Sequence, residues 1–328
     1  MDENNKLEFA SRLDLGLLQK QLAQVRSELQ KVIVGQEKMI DYLLVALLSN
    51  GHVLLEGVPG IAKTITVKLL SKALDIGFSR IQFTPDLMPS DVLGTSVFDL
   101  KKSEFEFKKG PIFSNLILID EINRAPAKTQ AALFEVMEER QITIDGLRFK
   151  MQPPFLVIAT QNPIEQEGTY RLPEAQLDRF LFKIVIDYPS LEDEIQIITR
   201  EHEAKAQDKT ATVSKVLSAE DLVRYQAMVK NILVEPQLIE YIAQITQNTR
   251  ENSFLYLGAS PRASLAMLNA AKGFAALAGR DFVTPEDIKQ AAYPVLGHRV
   301  ILAPEKEMEG IRSEQIIQQI IESVAIPR

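Results

Sequence analysis

Apolar positions along this chain follow two rhythms. Between residues 14 and 31, Leu18, Leu22, Val25 and Leu29 share one face at helical spacing. After the turn Val34-Gly35-Gln36, Ile40, Leu43, Leu44 and Leu47 repeat that pattern. Short aliphatic runs then take over: Val53-Leu54-Leu55, Leu116-Ile117-Leu118-Ile119 and Phe155-Leu156-Val157-Ile158. Runs of this length, bounded by polar residues, predict strands buried on both faces of a parallel sheet. Ser79-Arg80-Ile81-Gln82-Phe83 predicts a further short strand, and Phe182-Lys183-Ile184-Val185-Ile186 the last one. A helix over 128–140 is expected to bury Ala131, Leu133, Phe134, Val136 and Met137. Alternation over 98–109 predicts a hairpin with Phe105 and Phe107 on one face. A second hairpin is expected over 141–149, where Asp145-Gly146 supplies the positive φ of a tight turn.

Past Tyr188-Pro189-Ser190 the rhythm becomes helical throughout, with 204–217 expected as a loop. Ser218-Ala219-Glu220-Asp221 and Thr284-Pro285-Glu286-Asp287 read as capped helix starts. Ile316, Ile317, Ile320, Ile321 and Val324 predict a terminal amphipathic helix. The expected division is an α/β domain over 1–189 and a helical domain over 190–328.

The loop Gly57-Val58-Pro59-Gly60-Ile61-Ala62-Lys63-Thr64 joins the first apolar run to a helix. Strand, glycine-bearing loop, Lys-Thr and helix form the P-loop arrangement. Inward-facing backbone N–H groups and a helix N-terminus hold a triphosphate with fixed dipoles. Lys63 is expected at the β/γ oxygens, and the Thr64 hydroxyl at Mg²⁺. Ala62 stands where a third glycine is common, which is tolerable if its φ is negative.

Asp120-Glu121 ends a fully apolar run, at the sheet edge where ligands bind in open α/β folds. Asp120 is expected to hold Mg²⁺, and Glu121 to orient and deprotonate the attacking water. Without a cation such a pair is costly to bury, so the alternative requires a partner that the sequence does not reveal. Asn162 follows the run ending at Thr160 and reaches the same edge, where it either meets a γ-phosphate or satisfies its own loop. Spacing alone assigns nothing to Arg171 or Arg179; surface pairing is the default for both.

Composition narrows the classes. A length of 328 residues suggests two domains, and 46% hydrophobic with 25% charged residues supplies an ordinary core. With no cysteine, thiolate metal sites and thiol nucleophiles are excluded. A net charge of −7 disfavours nucleic acid, and Lys101-Lys102 and Lys108-Lys109 are too short to reverse that. No run reaches membrane-spanning length, and the acidic start is unlike a signal peptide, so the expected location is cytoplasmic.

Five ordered motifs carry a resemblance to the MoxR family of AAA+ ATPases across nearly the whole chain. They are the P-loop, Leu118-Ile119-Asp120-Glu121-Ile122-Asn123-Arg124-Ala125, Ala159-Thr160-Gln161-Asn162-Pro163, Leu172-Pro173-Glu174-Ala175-Gln176-Leu177-Asp178-Arg179-Phe180, and Gly258-Ala259-Ser260-Pro261-Arg262. The resemblance implies an α/β fold with a P-loop AAA+ core, a five-stranded parallel sheet with helices on both faces, followed by an all-helical lid. ATP is then expected in the crevice between them, with a helix-2 insert near 84–109 and the second hairpin before sensor 1. It implies that Val34, Gly35 and Gln36 border the adenine and that Asn162 is sensor 1. Arg179 resembles the arginine finger acting on a neighbouring subunit, with Arg171 a rival, and Arg262 resembles sensor 2 acting in its own subunit. ATP and Mg²⁺ are the implied cofactors. The implied assembly is a ring, commonly a hexamer, remodelling protein clients and often working with von Willebrand factor A domain partners. A nucleic-acid motor and a slow nucleotide-gated switch are the alternatives; the acidic charge opposes the first, and Glu121 with Arg179 the second.

Overall fold

The computed structural model describes residues 13–163, 170, 172–203 and 209–327. Helices α1 (Gly16–Gln30) and α2 (Glu37–Leu48) bury the apolar faces expected of them, Leu18, Leu22, Val25 and Leu29 on the first and Ile40, Leu43, Leu44 and Leu47 on the second. Strand β1 (His52–Glu56) runs through the glycine loop into α3 (Lys63–Ala73). Strand β2 (Phe78–Gln82), the short helix α4 (Pro89–Leu93) and the hairpin β3 (Gly94–Asp99)–β4 (Glu104–Lys109) follow. Next come β5 (Leu116–Asp120), α5 (Ala127–Glu139) and a second hairpin, β6 (Gln141–Ile144)–β7 (Leu147–Lys150). Its turn uses positive φ at both Asp145 and Gly146, as the Asp-Gly pair predicts. Strand β8 (Leu156–Gln161), α6 (Glu174–Leu177) and β9 (Phe180–Val185) complete this part.

The main sheet has five parallel strands in the order β2-β5-β8-β1-β9. Successive side chains on a strand point to opposite faces, and both faces are buried here. Val53, Leu55, Leu116 and Leu118 join a core with α1–α3, whereas Leu54, Ile117 and Ile119 join one with Leu133, Phe134 and Met137 of α5. Ala131 departs from expectation: it lies on the exposed side of α5. The two hairpins meet through Phe107 and Phe149, whose ring centres are 4.5 Å apart.

After α7 (Leu191–Glu203) come α8 (Ala219–Lys230), α9 (Pro236–Glu251), α10 (Pro261–Leu277), α11 (Pro285–Leu296), α12 (Pro304–Met308) and α13 (Ser313–Ser323). Ser218 caps α8 through reciprocal bonds with Asp221, and at the start of α11 the Thr284 amide and hydroxyl both donate to the Asp287 carboxylate. Two details depart from an all-helical lid. A small antiparallel pair, β10 (Leu255–Leu257) with β11 (Ile301–Leu302), ties the chain between α9 and α10 to the stretch after α11. A 3-10 turn over Lys209–Thr212 interrupts the stretch expected as loop; residues 204–208 lie outside the described residues. The lid helices share one apolar core with α1, α2 and the near face of the sheet, including Ala270, Phe274, Ile288 and Val295. Burial of this shared surface, at about 25 cal/mol per Å², holds the lid against the sheet.

Candidate nucleotide site

Parallel pairing aligns the strand ends. Glu56 faces Gln161 in register and Gln82 faces Asp120, so four strands deliver their last residues to one edge. The glycine loop leaves β1 at that edge. Gly57 is required by space: a Cβ there would lie 2.6 Å from Ile61 Cδ1 and 2.8 Å from the Ile186 carbonyl. Gly60 is required by conformation, with φ +87°. Ala62 does not have the negative φ expected of it. At φ 63° and ψ 15° it is left-handed, at the N-cap of α3, and its carbonyl accepts from the Thr66 backbone and hydroxyl at 3.0 and 2.9 Å. A non-glycine residue in that well costs on the order of 1 kcal/mol, which the two bonds to its carbonyl offset.

Lys63 begins α3, and its ammonium donates to the Gly57 carbonyl. Burial pulls its pKa below the usual lysine range, against the opposing pull of the Asp120, Glu121 and Glu56 carboxylates. Strands β1 and β5 both pair with β8 and end at this edge, so Lys63 and the acidic pair, more than fifty residues apart, are delivered to the same side of the sheet. Thr64 is half-buried beside them. Asp120 is buried, with Thr160 Oγ1 donating to Oδ1 at 3.2 Å and Arg80 Nε donating to Oδ2 at 2.6 Å. Glu121 is left-handed, with φ 58°, which turns it off the strand axis. Its Oε2 accepts from Gln82 Nε2 and from Arg124 Nε, each at 3.0 Å. Asn162 is half-buried one residue beyond the end of β8, at the edge that carries Asp120.

Arg80 is the cation that the sequence did not reveal. It means that the acidic pair, taken alone, does not require a metal. Arg80 and Gln82 occupy alternate positions on β2, beside Leu118 and Asp120 of β5. Arg80 and Gln82 at period two, in the strand Phe78-Ser79-Arg80-Ile81-Gln82, were the available signal.

A cavity of about 990 Å³ opens beside the loop, lined by Val34, Gly35, Gln36, Ile186, Tyr188 and, from the lid, Tyr293. Ile186 lines it and also packs against Gly57, the first residue of the loop. Gly35 has φ +71°, a left-handed conformation that favours glycine, with the Asp193 carboxylate packed against it.

Arg262 is not brought to this site. It pairs with Glu138 at 3.2 Å, at the end of α5. The preceding residue, Met137, offers its carbonyl to His52, the first residue of β1. Two residues before Arg262, Ser260 donates to Asp178, just ahead of β9. Both contacts lie at the start of the strands, and five residues of strand at about 3.3 Å each separate that edge from the glycine loop. The reason is how the lid docks: α11 contributes Tyr293 to the cavity, while the start of α10 is carried to the opposite edge. Arg179 lies at that far edge too, donating to the Phe134 carbonyl of α5. The rival Arg171 is outside the described residues.

The donor set suits a hard cation. Thr64 and Asp120 offer oxygen ligands of the kind Mg²⁺ takes, leaving positions for phosphate and water. Among the described residues no group of three or more His, Cys, Asp or Glu could hold a metal ion. Nor is any described helix long and apolar enough to cross a membrane.

Comparison with known proteins matches both parts of the chain. Residues 52–182 match the model of the ATPase family associated with various cellular activities (AAA), and residues 247–320 match the AAA lid domain. Chaperone MoxR1 of Mycobacterium tuberculosis is 46% identical over 92% of this chain and 81% of its own. The uncharacterised protein YeaC of Bacillus subtilis is 45% identical over 93% and 95%. A crystal structure of a candidate ATPase from Cytophaga hutchinsonii superposes with a TM-score of 0.89 at 44% identity, covering 96% of this chain and 97% of that one. With the core and lid models matched in order, and near-full-length relatives at this identity, the chain belongs to the MoxR family of AAA+ ATPases.

Proposed function

We infer that this chain hydrolyses ATP with Mg²⁺ and uses the cycle, as a ring, to remodel protein complexes. The observation that carries the reading is that the loop bearing Lys63 and the strand leading into Asp120-Glu121 leave the same sheet edge, on either side of β8. Val34, Gly35 and Gln36 border the adenine in that cavity. The backbone of residues 57–62 wraps the phosphates, and Lys63 compensates the charge on their β/γ oxygens. Thr64 and Asp120 are the protein ligands of Mg²⁺, which when bound neutralises charge on the phosphate oxygens. Glu121 accepts a proton from the attacking water. Asn162 donates to the water or the γ-phosphate. Arg179 of a neighbouring subunit supplies the cation that stabilises the developing charge.

A shared site explains why Arg179 and Arg262 both lie at the edge remote from their own phosphate loop. Head-to-tail packing brings that edge against the next subunit's crevice and closes into a ring, a hexamer in this reading. The clients are protein complexes, with von Willebrand factor A domain proteins as partners, and the location is the cytoplasm. The name of Chaperone MoxR1 supports the remodelling role.

Phosphate release by the purified protein tests the chemistry: it should require Mg²⁺ and disappear in Glu121→Gln. Turnover by Glu121→Gln at the parent rate would refute it. Remodelling is tested with a purified von Willebrand factor A domain protein. It should bind the ATP-loaded Glu121→Gln ring more tightly than the ADP-loaded ring.

A further inference from the structure

Arg299 follows α11 and is buried, its side chain 3% exposed. A guanidinium has five N–H donors, and every one is engaged. Nε donates to Asp178 Oδ1 at 2.6 Å, and Nη2 to the carbonyls of Asp178 at 2.9 Å and Phe180 at 2.6 Å. Nη1 donates to the carbonyls of Leu181 at 3.2 Å and Val295 at 2.6 Å. All but the last of these acceptors flank Arg179. His298 adds a bond to the Phe180 carbonyl at 3.0 Å, and Ser260 reaches the other carboxylate oxygen of Asp178 at 3.1 Å. The lid thus grips the backbone on both sides of Arg179.

Packing alone does not call for this arrangement. Burying a guanidinium carries a desolvation cost that an apolar side chain of similar volume avoids. A rigid fork of donors instead fixes the direction of the segment it holds. Arg179 is not itself fully committed: Nη1 reaches the Phe134 carbonyl, while its buried Nε has no partner among the described residues. The other end of the connection is the cavity. Tyr293 and Gly297 line it, and Arg299 is two residues beyond Gly297.

The geometry points to Asp178, clamped by Arg299 and Ser260 of the lid, as a positioning residue that aims Arg179. What occupies the cavity of one subunit moves Tyr293 and Gly297. Arg299 carries that movement to Asp178, and Asp178 sets the cation offered to the next subunit. This rests on the reading of Arg179 as the arginine that serves a neighbour.

Subunit mixing tests both readings separately. Asp178→Asn keeps the volume and removes the charge. Alone it should lose about ten- to a hundredfold in ATP turnover, since an ångström of misplacement costs about 10²-fold. Its ATP affinity should stay that of the parent. Co-assembled with Lys63→Ala subunits, which keep an intact Arg179, it should regain turnover as Arg179→Ala does. Co-assembled with Arg179→Ala, it should not. If Arg179→Ala is rescued and Asp178→Asn is not, Asp178 serves its own site and the positioning role fails. If Arg179→Ala itself is not rescued, the shared-site reading fails, and the relay with it. Should Asp178→Asn lose its cooperative melting transition, Ser260→Ala removes only one bond to the same carboxylate. It should show a severalfold loss with the same rescue pattern, and parent turnover by Ser260→Ala would overturn the relay.

Discussion

The guanidinium of Arg80 lies 2.6 Å from the carboxylate of Asp120, on the oxygen that Thr160 leaves free. An arginine half in solvent and a buried aspartate thus share a position where a metal ligand is expected. In the proposed site Arg80 and Mg²⁺ compete for Asp120. Arg80→Ala should lower the Mg²⁺ concentration that gives half-maximal ATP turnover, by roughly a few-fold, because one charge-assisted bond no longer opposes the metal. A Mg²⁺ titration of parent and variant decides it, and an unchanged midpoint would show that the pair is not in competition.

Lys63 and Glu121 should separate binding from chemistry. In the proposed mechanism Lys63 acts on ground-state phosphate charge, whereas Glu121, held by Gln82 and Arg124 in this conformation, acts on the water. Calorimetry should show ATP binding lost in Lys63→Ala and kept in Glu121→Gln, with turnover lost in both. Equal ATP affinity in the two variants contradicts the assignment.

Arg262 should behave as a residue of the neighbour's site. Its partner Glu138 stands one helical turn past Phe134, the partner of Arg179, so both arginines are held on one helix. Arg262→Ala is therefore expected to bind ATP as the parent does when monomeric, and to lose turnover in the ring. Random mixing with Lys63→Ala leaves roughly a quarter of head-to-tail interfaces intact, and activity should recover accordingly. ATP affinity that falls in the isolated Arg262→Ala subunit would return this arginine to its own crevice.

His52 gives the fold an acid limit. Its Nδ1 accepts from the Val157 amide at 2.9 Å and its Nε2 lies 3.1 Å from the Met137 carbonyl, so the neutral ring satisfies both bonds. Burial pushes its pKa down from the usual value to about 3, with Arg140 adding to the shift. Below about pH 6.5 the unfolded chain binds a proton that the folded chain refuses, so stability is lost as pH falls. The loss is up to about 1.4 kcal/mol per pH unit until the folded pKa is reached. His52→Gln cannot titrate, and its melting temperature should fall less steeply between pH 6.5 and 4 than the parent's. Parallel slopes would show that His52 does not set the limit.

Local patterns wrote much of this protein into its sequence. Short unbroken runs such as Leu116-Ile117-Leu118-Ile119, bounded by polar residues, announce strands covered on both faces, because a strand of that length in a parallel sheet hides every side chain. Asp145-Gly146 announces its hairpin turn, and Gly57 to Thr64 the phosphate loop, because backbone conformation there depends on residues close in sequence. Which polar residues meet was decided elsewhere. Arg80 and Asp120 are forty residues apart and become partners only because β2 pairs with β5. Ala62 takes a left-handed φ that its side chain does not favour, because the start of α3 requires that turn. Arg262 sits at the opposite edge from Lys63, and Arg299 beside Arg179, because the lid buries its apolar helices against α1, α2 and the sheet. Burial of that surface is non-directional, so no local pattern records which of the lid's charged residues it carries to which strand end.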